Sequence, residues 1–235
     1  MPSFLTFSPD GTQLAIVSTQ PAVQIWDVAT GEQIRRFDTD DDIVSIVFSA
    51  DGTRALTGSV FSSNLTLWDV ATGLQIRRFE GPVDLVFDVA FGPDENTVLS
   101  ASADGSLTLW NADTGEIIRR YLGHNAWVWS LDVSPDGHYL ISGAEDGAVI
   151  LWDFETGELL HRFTGHTDWV SDVTFSPDGQ TAFSSGFDGE INLEMRGMPE
   201  GYAAETVTIN TVAITFSEAV SDATLAAGDF LFSGF

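Results

Sequence analysis

The strongest constraint on this chain is a period. The segments VQIWDVATGEQIRRF, LTLWDVATGLQIRRF, LTLWNADTGEIIRRY and VILWDFETGELLHRF place Trp26, Trp68, Trp110 and Trp152 at a constant spacing of 42 residues. A unit of this length is too small to bury a core alone, so neighbouring units must stack and share one. The next Trp falls due at position 194, where Glu194 stands instead. The regular pattern therefore stops near the end of a fifth unit.

Each unit reads as four short strands. In WVWSLDVSP, Val128, Ser130 and Asp132 alternate with Trp127, Trp129, Leu131 and Val133, and a Pro-Asp-Gly turn follows. HYLISGA gives the second strand, AVILWD the third and GELLHRF the fourth. β-Branched and aromatic runs separated by Asp-Gly turns predict antiparallel hairpins. Asp-Gly suits such turns because both residues tolerate positive φ and the carboxylate caps backbone amides.

The Gly-His, Ser-Pro-Asp-Gly and Trp-Asp signals at fixed offsets resemble the WD40 family, over about residues 4 to 193. The resemblance implies an all-β, WD40-type β-propeller of about five blades, the fifth incomplete, each blade a four-stranded sheet. It also implies a buried network, which in this sequence is His124, Ser142, Asp146 and Trp152. The preceding unit keeps Ser100, Asp104 and Trp110 but has Pro82 for the His, and the following unit keeps His166, Ser184 and Asp188 but has Glu194 for the Trp. The first two units lack the His, so they are expected to be held less rigidly. The family usually has more blades, so five are open to closing as a small ring, staying an open arc, or being completed by further chain or a second molecule.

Composition narrows the partners. The formal net charge is −26, from 35 acidic residues against nine arginines, with no lysine. Such a surface repels nucleic acid and anionic membranes, and it suits a basic partner, divalent cations or a salty medium. The arginines recur with the repeat, as Arg35–Arg36, Arg77–Arg78, Arg119–Arg120 and Arg162, and are expected to offset acids on the outer rim. No run has the ~18 apolar residues of a membrane-spanning helix. The opening MPSFLTFSPDG carries no basic or apolar leader pattern and starts almost directly on a strand, as a domain cut from a longer chain would. The absence of cysteine excludes disulfides and thiolate metal sites and leaves the compartment open.

Three features invite a chemical reading. His, Ser and Asp occur together, but they recur at a fixed offset ending on Trp and no Gly-x-Ser-x-Gly elbow accompanies them, so they read as structural. His138 and His161 stand alone. DTDDD places Asp38, Asp40 and Asp42 at alternate positions, like the start of a calcium loop. However, Ile43 stands where that loop needs Gly and Ser49 where it needs Glu, which leaves at most an adventitious cation site. No catalytic residue, metal site or cofactor is expected. By the resemblance, the loops of the top face carry Leu85, Asn125, Trp127, Asp168, Trp169, Glu145 and Phe187, with Asp41, Ile43, Ala103 and Thr167 beside them. Large aromatics beside acids suit a protein-binding hot spot, less often a sugar platform, and two Trp can equally plug a central channel.

Beyond residue 197 the repeat signals cease, dividing the chain into 1–197 and 198–235. The run ITFSEAV followed by GDF resembles the start of bacterial Ig-like domains, although Thr-Phe-Ser at 215–217 also allows a degraded sixth unit. One tail strand, Thr206 to Ile209 or Val212 to Phe216, is expected to pair with the edge at 190 to 193. The favoured role is a non-catalytic scaffold for a protein or peptide, and the second is an adhesive module of a secreted or surface bacterial protein. An enzyme runs third, needing residues that this chain lacks, and self-association through the incomplete ring or an edge strand is a further expectation.

Overall fold

The structure is a computed structural model and describes residues 4–17, 21–39, 42–60, 64–80 and 84–195, with side chains to Ile191. Every regular element in it is a strand. Blade one comprises β1 (Phe4–Phe7), β2 (Gln13–Val17), β3 (Ala22–Asp27) and β4 (Gln33–Asp38). Blade two comprises β5 (Ile43–Phe48), β6 (Arg54–Ser59), β7 (Leu65–Asp69) and β8 (Gln75–Phe79). Blade three comprises β9 (Val86–Phe91), β10 (Thr97–Ser102), β11 (Ser106–Asn111) and β12 (Ile117–Leu122). Blade four comprises β13 (Val128–Val133), β14 (Tyr139–Ala144), β15 (Val149–Asp153) and β16 (Leu159–Phe163). Blade five has three strands among the described residues, β17 (Val170–Phe175), β18 (Thr181–Gly186) and β19 (Ile191–Met195). Each is an antiparallel meander in chain order.

The core lies between blades. Ala15, Val23, Ile25 and Phe37 of blade one pack on Ile46, Phe48 and Trp68 of blade two. The same pairing of a forward face with a rear face repeats from blade two to three, three to four and four to five. Small residues permit the close approach. A Cβ added to Gly58 or Gly143 would lie 2.8 or 2.5 Å from a side-chain carbon of Val86 or Val170 in the next blade. The inner strands β1, β5, β9, β13 and β17 follow one another in that order. Among the described residues no strand of blade five packs extensively on a strand of blade one, so the described blades form an open arc.

The first-strand alternation expected from the sequence is broken. In β5, β13 and β17 the register shifts at Ile43/Ser45, Val128/Ser130 and Val170/Asp172, and β9 shifts against β10 at the matching place. A bulge inserts one unpaired residue, and here these are Val44, Phe87, Trp129 and Ser171. The extra residue puts Val128 and Leu131 together in the core rather than on opposite faces.

The Ser-Pro-Asp-Gly turns are held by their own side chains: Ser134 Oγ donates to Asp136 at 2.7 Å, and the His138 amide donates to the same carboxylate oxygen at 3.1 Å. Blade three departs from the pattern, with Glu95 at φ 57° where the other turns have Gly. That left-handed backbone costs about 1 kcal/mol. It is offset by a reach across the blade boundary, where Glu95 meets Arg54 at 3.2 Å and accepts the Ala50 amide. The paired arginines divide their work. Arg77 and Arg119 donate to the Thr114 and Phe154 carbonyls of the following blade, while Arg36, Arg120 and Arg162 face Asp38, Asp104 and Asp146. Offsetting acids on the rim is thus half of their role, and bracing neighbouring blades is the other half.

Candidate functional site

In blade four a continuous relay of hydrogen bonds runs from core to surface. Trp152 Nε1 donates to Ser142 Oγ at 2.9 Å, Ser142 Oγ lies 2.8 Å from His124 Nε2, and His124 Nδ1 lies 3.1 Å from Asp146 Oδ1. The pattern fits the Nδ1–H tautomer, with Ser142 donating to Nε2. Burial alone would raise the Asp146 carboxyl, but hydrogen bonds from His124, the Asn125 amide and Arg162 outweigh it and hold the group well below the ordinary carboxylate range. Asp146 therefore stays charged and ties down the loop that begins at Asn125, whose amide donates to it at 3.0 Å. Blade five repeats the arrangement with His166, Ser184 and Asp188, and the Thr167 amide takes the place of the Asn125 amide. Glu194 lies opposite Ala182 in β19, and its side chain is outside the described residues.

The relay shortens toward the first blade. Trp110 Nε1 donates to Ser100 and Trp68 Nε1 to Thr57. In blade one the matching residue is Ile16, and the buried Trp26 Nε1 has no partner. A cavity of about 220 Å3 in blade two is bordered by Asp38, Thr39, Trp68, Gln75 and Arg78.

Above these relays the loops form a face. The Glu145 amide donates to the Trp127 carbonyl, the Phe187 amide to the Trp169 carbonyl and the Ala103 amide to the Leu85 carbonyl, all at 2.8–2.9 Å. One recurring bond thus sets Leu85, Trp127 with Glu145, and Trp169 with Phe187 at equivalent places on three successive blades. Asp168 caps the Trp169 amide at 2.8 Å. The aromatic rings run in contact across the blades: Phe87–Trp127 at 5.5 Å, Phe87–Trp129 at 4.3 Å, Trp129–Trp169 stacked at 6.0 Å and Trp169–Phe187 at 5.6 Å. Trp127, Trp169 and Phe187 are 41%, 38% and 55% exposed, which is high for such large apolar groups. Trp129 lies between them, and its buried Nε1 has no partner.

Phe87 and Trp129 were not among the residues the sequence singled out for this face. Both are the extra residue of a bulge, which turns them out of the core and toward the ladder. The available signal was Val128 and Leu131 standing three apart, a spacing that simple alternation does not give. Leu85 is half-buried beside the ladder, and Asn125 and Asp168 are exposed at its rim with Glu145 half-buried. Asp41 lies outside the described residues.

Below the face, carboxylates join the inner strands. Asp88 accepts from Ser45 Oγ at 2.8 Å and the Leu131 amide at 3.0 Å, and Ser130 Oγ stands between Asp88 and Asp172 at 3.3 and 2.9 Å. Asp132 accepts the Phe175 amide at 2.7 Å. Burial pushes the Asp88 carboxyl up to about 6, with the nearby Asp172 charge adding to it.

The other chemical readings find little geometry. Ser142 is fully buried with its Oγ engaged by Trp152 and His124, leaving no approach for a substrate. Asp38 pairs with Arg36 at 2.8 Å, and Asp40 is outside the described residues. Among the described residues no three His, Cys, Asp or Glu side chains converge on one point.

Comparison with known families agrees with this picture. The family model described as WD domain, G-beta repeat matches residues 73–111, 115–153 and 157–193. Each match runs from the turn before one outer strand through the third strand of the next blade, so the matched unit straddles two blades. The matches cover the blades in which the relay is longest. No curated protein matches the sequence.

Proposed function

Because this chain belongs to the WD40-repeat family, we propose that it is a scaffold whose aromatic ladder grips a protein or peptide partner. Repeats of this family generally mediate protein–protein interaction and are generally non-catalytic, and we read this chain in the same way. The observation that carries the proposal is the ladder itself, from Phe87 to Phe187, with three large rings open to solvent on loops that Asp146 and Asp188 hold in place. Fixed aromatics lose little entropy on binding, which is why they dominate hot spots. Asp168, Glu145 and the net charge of −26 favour a ligand rich in Arg or Lys, whose guanidinium or ammonium groups also stack on Trp.

The test is a peptide array probed with the full chain, followed by titration calorimetry on the best binders. Basic peptides are expected to lead. Trp127→Ala and Trp169→Ala are each expected to weaken them by about 30-fold, a hot-spot loss near 2 kcal/mol. Undiminished binding by the double variant, with unchanged far-UV circular dichroism, rejects the site.

The acidity, the absent lysines and the Ig-like run of the tail support a second reading, a structural or adhesive module of a secreted or cell-surface bacterial protein. A ladder that binds no peptide while the chain still associates with itself favours that reading. Association of copies through the incomplete arc is compatible with both.

A further inference from the structure

We propose that the two end blades of the arc are complementary, so that the forward face of blade five in one copy docks on the rear face of blade one in another. This rests on the open-arc reading of self-association and specifies its surfaces.

The repeat provides internal controls for the rear face. Leu5 is 63% exposed, whereas its equivalents Ile46, Val89, Leu131 and Val173 are each 8% exposed or less. Val28 is 47% exposed against 6%, 1% and 9% for Val70, Ala112 and Phe154. Phe7 is 57% exposed and Phe48 and Phe175 are buried, while Trp26 is half-buried where Trp68, Trp110 and Trp152 are buried. These residue types are those of a blade interface, left uncovered among the described residues. In all four in-chain cases the group that covers this face is the forward face of another blade.

Such a face exists at the other end. Phe183 and Ile191 are half-buried, while their equivalents Leu56, Leu99 and Ile141, and Leu65, Leu107 and Val149, are fully covered by the next blade. A polar contact adds register. Asp172 holds the place of Asp88, whose carboxylate accepts the Leu131 amide of the following blade, and Leu5 is the equivalent of Leu131 in blade one. Asp172 accepts Ser130 Oγ from the preceding blade and is exposed to solvent. A docked copy would bring the Leu5 amide to it.

An interface of two different surfaces is heterologous, closing into a ring if the rotation allows and otherwise forming an open series. That gives a decisive experiment. Sedimentation velocity on the full chain, in about 0.15 M salt to screen like-charge repulsion to a length of ~8 Å, is expected to show mass rising with concentration. Leu5→Asp blocks the rear face and Phe183→Asp the forward face, and each variant alone is expected to be monomeric. An equal mixture retains one competent surface of each kind and is expected to form a dimer and nothing larger. Phe7→Glu and Ile191→Glu provide a second pair should either first variant lose its circular dichroism spectrum. A wild-type chain monomeric up to about 100 μM overturns the proposal. So does a single variant that still dimerises, which would mean a symmetric contact, or a mixture that stays monomeric.

Discussion

Asp88 shows how a single residue ties blades together and at what cost. Its carboxylate accepts groups from the blade before and the blade after, and burial pushes it from the ordinary 3.8 up to about 6. A carboxyl raised in the folded state binds its proton more tightly there than in the unfolded chain. Its contribution to stability is therefore complete below about pH 4 and is lost as pH rises through about 6. Denaturant titrations of wild type and Asp88→Asn at several pH values should show the wild type losing roughly 1–3 kcal/mol relative to the variant across that window. A difference that does not change with pH removes this role. The sequence offered no hint of it. Asp88 stands in a strand as one acid among 35, and only the inner-strand register reveals that Ser45, Leu131 and Ser130 converge on it. Glu194 is the opposite case, visible at once as a break in the period.

At the scale of elements, strands and turns were legible because they depend on local chemistry. Asp-Gly turns and β-branched runs specify a hairpin wherever it is placed. The bulges were not legible, because a bulge satisfies a partner strand and the next blade rather than its own residues. They also account for the missed half of the aromatic face, Phe87 and Trp129. The relay of blade four, by contrast, was implied by the family resemblance, with atom-to-atom links that only coordinates supply. Its rigidity is testable. Hydrogen exchange should be slower over residues 127 to 163 than over 4 to 60, where Trp26 Nε1 is unpartnered and a cavity borders Trp68. Ser142→Ala leaves both Trp152 Nε1 and His124 Nε2 unsatisfied and should cost about 1–3 kcal/mol while erasing that contrast. Equal exchange in both regions would mean that the relay does not govern local stability.

At the scale of the whole molecule, charge opposes compaction. A net −26 on 235 residues, with arginines as the main internal counterweight, places many like charges within a Debye length. Thermal melts from about 0.01 M to about 1 M sodium chloride, where that length falls from ~30 to ~3 Å, should move the midpoint upward by several degrees. A flat or falling midpoint would show that the arginine struts already balance the surface. The family was legible in the sequence through its recurring Gly-His, Ser-Pro-Asp-Gly and Trp-Asp motifs, and the five described blades through the period that spaces them. Whether the blades meet was not, because closure depends on the angle between sheets, which no residue encodes alone. The open arc has a thermodynamic consequence. Among the described residues the extensive packing links each blade to its immediate neighbours, so the described blades behave as a short one-dimensional lattice. Cooperativity in such a lattice travels from unit to unit, and melting starts where a unit has only one neighbour. The number of blades in the row, more than the quality of any one of them, then sets how sharply the row melts.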